Sequence, residues 1–335
     1  MKNKSPENLD CDTEDKVWKY IQWDLETLLS CIHPVLDATG LPWPVRSAES
    51  KVQGKPLAGG FFFVPWIVKG DLEYYANVLG LEHWQRAVHP CMFCKANRTN
   101  WPWTDQKLLG HPELQWAEED WRANHPNVHR LFSILAVGLW SCQLDIMHTV
   151  SLGVAQHIAA NILYEIIYVV LANRGTVKSR VQDLWPLIVE AYRLDSATAR
   201  LGGLTLSMFT DPSRPHQVFP LLKAKAKETE WLCRALATVW THFNDEANQC
   251  HRHISLVLAL LLGFYGIAAR GGIFHPPEDR ERVLTIALNM LAHYNWLSKW
   301  AETTSARRWN TVMKHHYTRH LALQAQWLHM RAGAT

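Results

Sequence analysis

Between Asp15 and Cys31 apolar side chains fall at Val17, Ile21, Leu25, Leu28 and Leu29, with Trp18 on the same stripe. That three-to-four spacing predicts an amphipathic helix. Gly and Pro collect between Asp37 and Pro44 and make a loop. Phe61 to Val68 is aromatic and β-branched and opens after Gly59-Gly60, so it predicts a strand. The strand stops at Lys69-Gly70-Asp71, and Leu72, Tyr75, Ala76 and Leu79 return to helical period. Asp71 is thus placed where a strand gives way to a helix. From His89 to Arg130 the chain is rich in Trp, Pro, His and Asn without clear period; so long a connection in a compact domain is functional or pinned by something. Beyond Asp145 helices are predicted over 147–173, 177–194, 220–247, 250–269, 278–303 and 305–330. Gly and Pro breaks separate them at Gly175, Gly202-Gly203, Pro212 to Pro220 and Gly271 to Pro277.

These elements predict an α+β chain that is predominantly α: a polar tail over 1–15, expected to be disordered, a part with some sheet over 16–145 that includes the irregular loop 89–130, and a helical region over 146–335. The length of 335 residues suits one large domain or two, and 48% hydrophobic against 19% charged residues is globular composition. Ile254 to Ala269 is almost wholly apolar but shorter than the roughly twenty residues of a spanning helix. It lies between His251-Arg252-His253 and Arg270, which predicts a buried core helix and no membrane partner. Seventeen Trp stand mostly beside Leu and Ile at helical spacing and are read as core, although rings can also stack on bases. A net charge of +3 is milder than a dedicated DNA-binding domain carries and neither requires nor excludes nucleic acid. The chain has seven Cys, an odd number, and its polar, acidic amino terminus reads as neither a signal nor a transit peptide. A disulfide framework is therefore not expected, and the expected compartment is intracellular, where thiols stay reduced.

Candidate chemistry begins at His89-Pro90-Cys91-Met92-Phe93-Cys94. Two Cys separated by two residues can turn both sulfurs toward one zinc, and this pair lies in the segment that most needs a staple. The other readings of the pair are two incidental buried thiols or a redox motif. No second Cys pair follows, so His or a lone Cys must complete the set. His316 and His320 are four apart on a predicted helix, which aims both rings from one face. Cys142 with His148 is a competing partner set. Asp145 and His148 stand three apart and share a helical face, or else Asp145 is simply a helix cap. Asp71 is a Mg²⁺-ligand candidate at a strand end, or equally a cap. The chain carries no P-loop, G-x-S-x-G elbow, H-E-x-x-H helix or dinucleotide fingerprint, and no small-molecule substrate is identified.

Taken in order, Gly70-Asp71-Leu72, Cys91-x-x-Cys94, Asp145-x-x-His148 and His316-x-x-x-His320 resemble the core of eukaryotic cut-and-paste DNA transposases with a ribonuclease-H-like fold and a large helical insertion, of the CACTA, Plavaka and Transib-like groups. Asp145 to His157, DIMHTVSLGVAQH, is similar to the D-x-x-H, Leu-Gly-Val, His run of such frames, and the resemblance covers about residues 20–330. It implies a small mixed ribonuclease-H-like sheet with a helical insertion. Asp71 becomes the second acid of an Asp-Asp-Glu triad, with Asp24 a candidate for the first. It implies a structural zinc closed by Cys91, Cys94, His316 and His320, and a largely structural role for Asp145 and His148. The family's chemistry is two-metal DNA strand transfer, with Mg²⁺ bound only where the carboxylates are complete. No acid follows Glu302, where a third acid is expected about twenty residues past the His pair, so the frame reads as carboxyl-terminally truncated and catalytically incomplete. The partners implied are DNA and a second copy of the chain, and the implied location is nuclear. Two further readings stand beside this one: a non-enzymatic zinc-stabilised helical binding module, and an unrelated metal-dependent hydrolase using Asp71, Asp145 and His148.

Overall fold

Each helical segment expected beyond Asp145 contains a helix in the computed structural model, which describes residues 11–85, 88–105, 114–134, 136–270 and 274–326. The last, expected over 305–330, is helical over Met313–Gln324, and 327–330 lie outside the described residues. The chain is predominantly helical, with one two-stranded parallel ladder among the described residues. It divides into two compact units, Met1–His83 with Trp116–Gln143, and Trp84–Gln115 with Leu144–Thr335.

In the first unit, α1 runs over Cys11–Ser30, followed by α2 (Ala48–Val52), β1 (Val68–Lys69), α3 (Leu72–Asn77), α4 (Glu118–Asn124) and β2 (Cys142–Gln143). The polar tail expected over 1–15 falls outside the described residues as far as residue 10, and Cys11 to Asp15 are already helical. The stripe expected on α1 is only half-buried, and Val17 and Leu28 are exposed. Val68 pairs with Cys142 and Lys69 with Gln143. The Tyr75 hydroxyl pins this pair, lying 2.8 Å from the Val68 carbonyl and 2.7 Å from that of Gln143. The strand expected over Phe61 to Val68 forms only at its last residue. Phe61, Phe62 and Phe63 are 82%, 67% and 52% exposed, and β propensity alone makes no strand without a partner ladder and a covered face. The short α4 lies inside the segment expected to be irregular. Its Trp121 is fully buried against Phe132, and Arg122 donates to the Phe132 and Val137 carbonyls.

The second unit holds a long helical rod from Met147 to Val170, kinked at Leu152 and Gly153, whose regular middle is α5 (Ala155–Tyr164) and whose two ends are π-helical. It continues through α6 (Val177–Leu194), α7 (Ala226–Trp240), α8 (Gln249–Ala268), α9 (Pro277–Glu302) and α10 (Met313–Gln324). Thr176 opens α6 by accepting from the Ser179 N–H at 3.2 Å, and the Asn248 side chain accepts from the first amides of α8. Helix α8 packs on α9, α6 and α5 pack on α7, and α10 packs on the start of the long rod. Ile254, Val257, Leu258, Leu261 and Phe264 fill the α8 side of this core. Helix α8 lies within one residue of the span 250–269 expected for it. Met147–Val170 and Gln249–Ala268 are both long and apolar enough to cross a membrane, with 89% and 50% of their apolar windows buried inside the protein. Of the Trp side chains, Trp121, Trp240 and Trp309 are core, whereas Trp66 and Trp140 are exposed.

Candidate metal centre

The segment from Trp84 to Gln115 belongs to the second unit, and its backbone explains how Cys91 and Cys94 are held. Cys94 forms a bridge with Gln115, and the Lys95 N–H donates to the Leu114 carbonyl at 2.7 Å. Just beyond, the Asn97 side chain accepts from the Thr99 and Trp101 amides at 2.9 and 3.0 Å and shapes a tight turn. Cys91, Met92, Phe93 and Cys94 are all fully buried. From the other side α10 presents His316 and His320 one turn apart, both buried.

The four side chains converge. Cys91 Sγ lies 3.3 Å from His320 Nε2, Cys94 Sγ lies 3.4 Å from His316 Nε2, and the two Nε2 atoms are 3.2 Å apart. All four donor atoms lie within 4.8 Å of one another. A tetrahedral ion with metal–sulfur bonds near ~2.3 Å and metal–nitrogen bonds near ~2.05 Å requires sulfur–nitrogen edges of ~3.6 Å and a nitrogen–nitrogen edge of ~3.3 Å. The three short edges come within a few tenths of an ångström of these values, and the four donors together could hold a four-coordinate metal such as zinc. Among the described residues this is the one group of three or more His, Cys, Asp or Glu side chains so disposed.

The surroundings orient the ligands. His316 Nδ1 stands 3.2 Å from the Trp103 carbonyl, which favours a proton on Nδ1 and leaves the Nε2 lone pair facing the sulfurs. Tyr317 donates to the Pro90 carbonyl at 3.0 Å and meets Phe93 edge-on, so α10 is pinned to the Cys loop on both sides of the site. The Phe93 ring also lies 5.4 Å from that of His320. Without a metal the two sulfurs share their charge unequally. A hydrogen bond from Cys91 and the neighbouring imidazoles hold the Cys94 thiol far below its ordinary range, while burial pushes Cys91 well above it. Burial also lowers His320, which keeps its ring neutral. A divalent ion would replace the shared proton and take both sulfurs as thiolates.

The competing ligands are used elsewhere. His315, one residue from His316, turns away and bonds through Nδ1 to the Val312 backbone. Cys142 is a buried residue of β2 in the first unit, where burial raises its thiol to about 12. Asp145 caps the helix start: one oxygen accepts from the His148 N–H and the other lies on His148 Nδ1, both at 2.8 Å. Asp71 caps α3, accepting from the Tyr74 N–H at 2.6 Å, and Asp24 lies on the exposed side of α1.

Sequence reasoning missed a second polar centre in the helical unit. Glu165, on the long rod, pairs with Arg308, both being almost fully buried. Arg308 also lies over the Trp300 ring at 4.6 Å, and His251 stands 3.9 Å from the other Glu165 oxygen. The only sequence signal was a carboxylate in an otherwise apolar helix, within EIIYVV. Compared with family models, curated proteins and solved structures, the chain matches none.

Proposed function

We propose that the chain is a transposase-derived protein of the ribonuclease-H-like type that keeps its structural zinc and has lost strand transfer. One observation carries this reading: Cys91 and Cys94 meet His316 and His320, the pairing across more than 200 residues that the motif order implies. Zinc suits two thiolates and two imidazoles in a closed tetrahedral set, and full burial leaves no open position for a substrate, so its role here is structural. The parallel ladder of β1 and β2, with Asp71 just beyond β1, supports the ribonuclease-H-like part. Among the described residues no group of three or more His, Cys, Asp or Glu donors gathers around Asp71, which supports loss of catalysis. Two-metal chemistry with Mg²⁺ needs several free carboxylates around one space. DNA and a second copy of the chain remain the proposed partners, and a reducing, nuclear location is proposed with them.

The test is a strand-cleavage and strand-transfer assay with zinc-loaded protein, Mg²⁺ or Mn²⁺, and duplex DNA. No activity above a no-protein control is expected. Cleavage abolished by Asp71→Asn would overturn the loss of catalysis. A second reading, the zinc-stabilised helical binding module, is favoured by the exposed run Phe61, Phe62, Phe63 and Trp66. DNA retention that is lost on Phe62→Ser and Trp66→Ser, with zinc content unchanged, would move the assignment there.

A further inference from the structure

We propose that His253 and His293 form a second divalent-metal site, open to solvent and independent of the Cys-containing centre. His253 lies on α8 and His293 on α9, the two helices that pack most extensively in the second unit. Their Nδ1 atoms face each other at 3.0 Å, and both side chains are half-buried. A single proton can bridge such a gap. The same gap fits two adjacent positions of a six-coordinate ion, since metal–nitrogen bonds of ~2.1 Å at right angles place the nitrogens ~3.0 Å apart.

The rings are held in place before any ion arrives. His253 stacks on Trp296 at 3.9 Å between centroids with planes 1° apart, and Trp300 continues the stack 6.5 Å further on at 7°. A ligand fixed by a neighbouring ring loses little rotamer freedom on coordination. Partial burial lowers the pKa of both imidazoles, with Arg252 and the facing ring adding to the effect at His253, so their lone pairs are available at neutral pH. Two imidazoles without a carboxylate select nickel, copper or zinc rather than magnesium or calcium. The exposed side of the pair leaves water to complete the shell, so the bound ion is exchangeable. That sets it apart from the buried, four-protein-ligand centre.

Zinc-loaded full-length protein would be titrated with Ni²⁺ by calorimetry at neutral pH while released zinc is measured. The expected result is one Ni²⁺ bound per chain without zinc release, lost in His253→Ala and in His293→Ala, and kept in His242→Ala, which removes an exposed His elsewhere. Both loss variants are expected to keep wild-type zinc content. Should either lose it through misfolding, the readout is wild-type NMR: Ni²⁺ must broaden the His253, His293 and Trp296 ring signals first. Absence of Ni²⁺ binding by the wild type, binding that survives in either variant, stoichiometric zinc release, or broadening that starts at other residues would each overturn the proposal.

Discussion

Glu165 and Arg308 offer a double-mutant cycle whose outcome the structure specifies. Both side chains are about 95% or more buried, at 2% and 5% exposure. Arg308 stays charged at any working pH, so Glu165→Leu strands a cation in the core, a loss of about 3–5 kcal/mol. Arg308→Met strands a carboxylate instead. That group can take up a proton, and burial already raises its pKa despite the opposing pull of Arg308. Its penalty is therefore smaller at acidic pH and grows as pH rises. Replacing both removes the desolvation cost together with the attraction, leaving mainly the lost stacking of Arg308 on Trp300, about 1–2 kcal/mol. Guanidinium unfolding of the four proteins measures this, provided each unfolds in a single transition. The double variant is expected to be more stable than Glu165→Leu alone. If its loss equals the sum of the two single losses, the buried-pair reasoning is wrong.

Other consequences follow from single contacts. His157 is buried, and this, with Lys314 nearby, lowers its pKa to about 4. The unfolded chain therefore binds the proton that the folded chain refuses. The resulting stability is complete above about pH 6.5 and is lost as pH falls toward 4, by about 3 kcal/mol, which His157→Leu should flatten in a pH series of denaturation midpoints. Gly153 faces Lys314, whose Cδ and Cβ would lie 2.6 and 3.1 Å from an added Cβ, and the Lys314 ammonium is anchored on the Leu152 carbonyl. Gly153→Ala should cost about 1–3 kcal/mol, read by thermal unfolding, and a neutral result would mean that α10 is free to shift. Asp71→Ala should cost about 1 kcal/mol as a lost cap while Asp71→Asn stays close to wild type; equal losses in both would show that the charge, not the cap, is what matters.

Much of the helical unit was legible because its segments are long and strongly periodic: α6 occupies the span 177–194 expected after the Gly175 break. The ends were not, since α7 and α10 begin later than the apolar pattern suggests. The ladder was nearly invisible, because the Phe61 to Val68 pattern predicts a covered strand and burial depends on partners far along the chain. Each half of the metal set was legible from spacing, but spacing left Cys142 with His148 as rival partners, and the joining of the two halves was implied only by the resemblance in motif order. Cys91-x-x-Cys94 and His316-x-x-x-His320 each aim two donors one way, and only four donors close a tetrahedron. The Glu165–Arg308 pair had no comparable spacing to reveal it, nor had His253 and His293, whose meeting depends on the register between α8 and α9.

One ion is proposed to join two distant segments, so metal content by elemental analysis is the decisive measurement, made on wild-type protein and on Cys91→Ser and His320→Ala. One zinc per chain in the wild type, absent from both variants, is the predicted result. Wild-type protein without zinc, or zinc retained by His320→Ala, would contradict it.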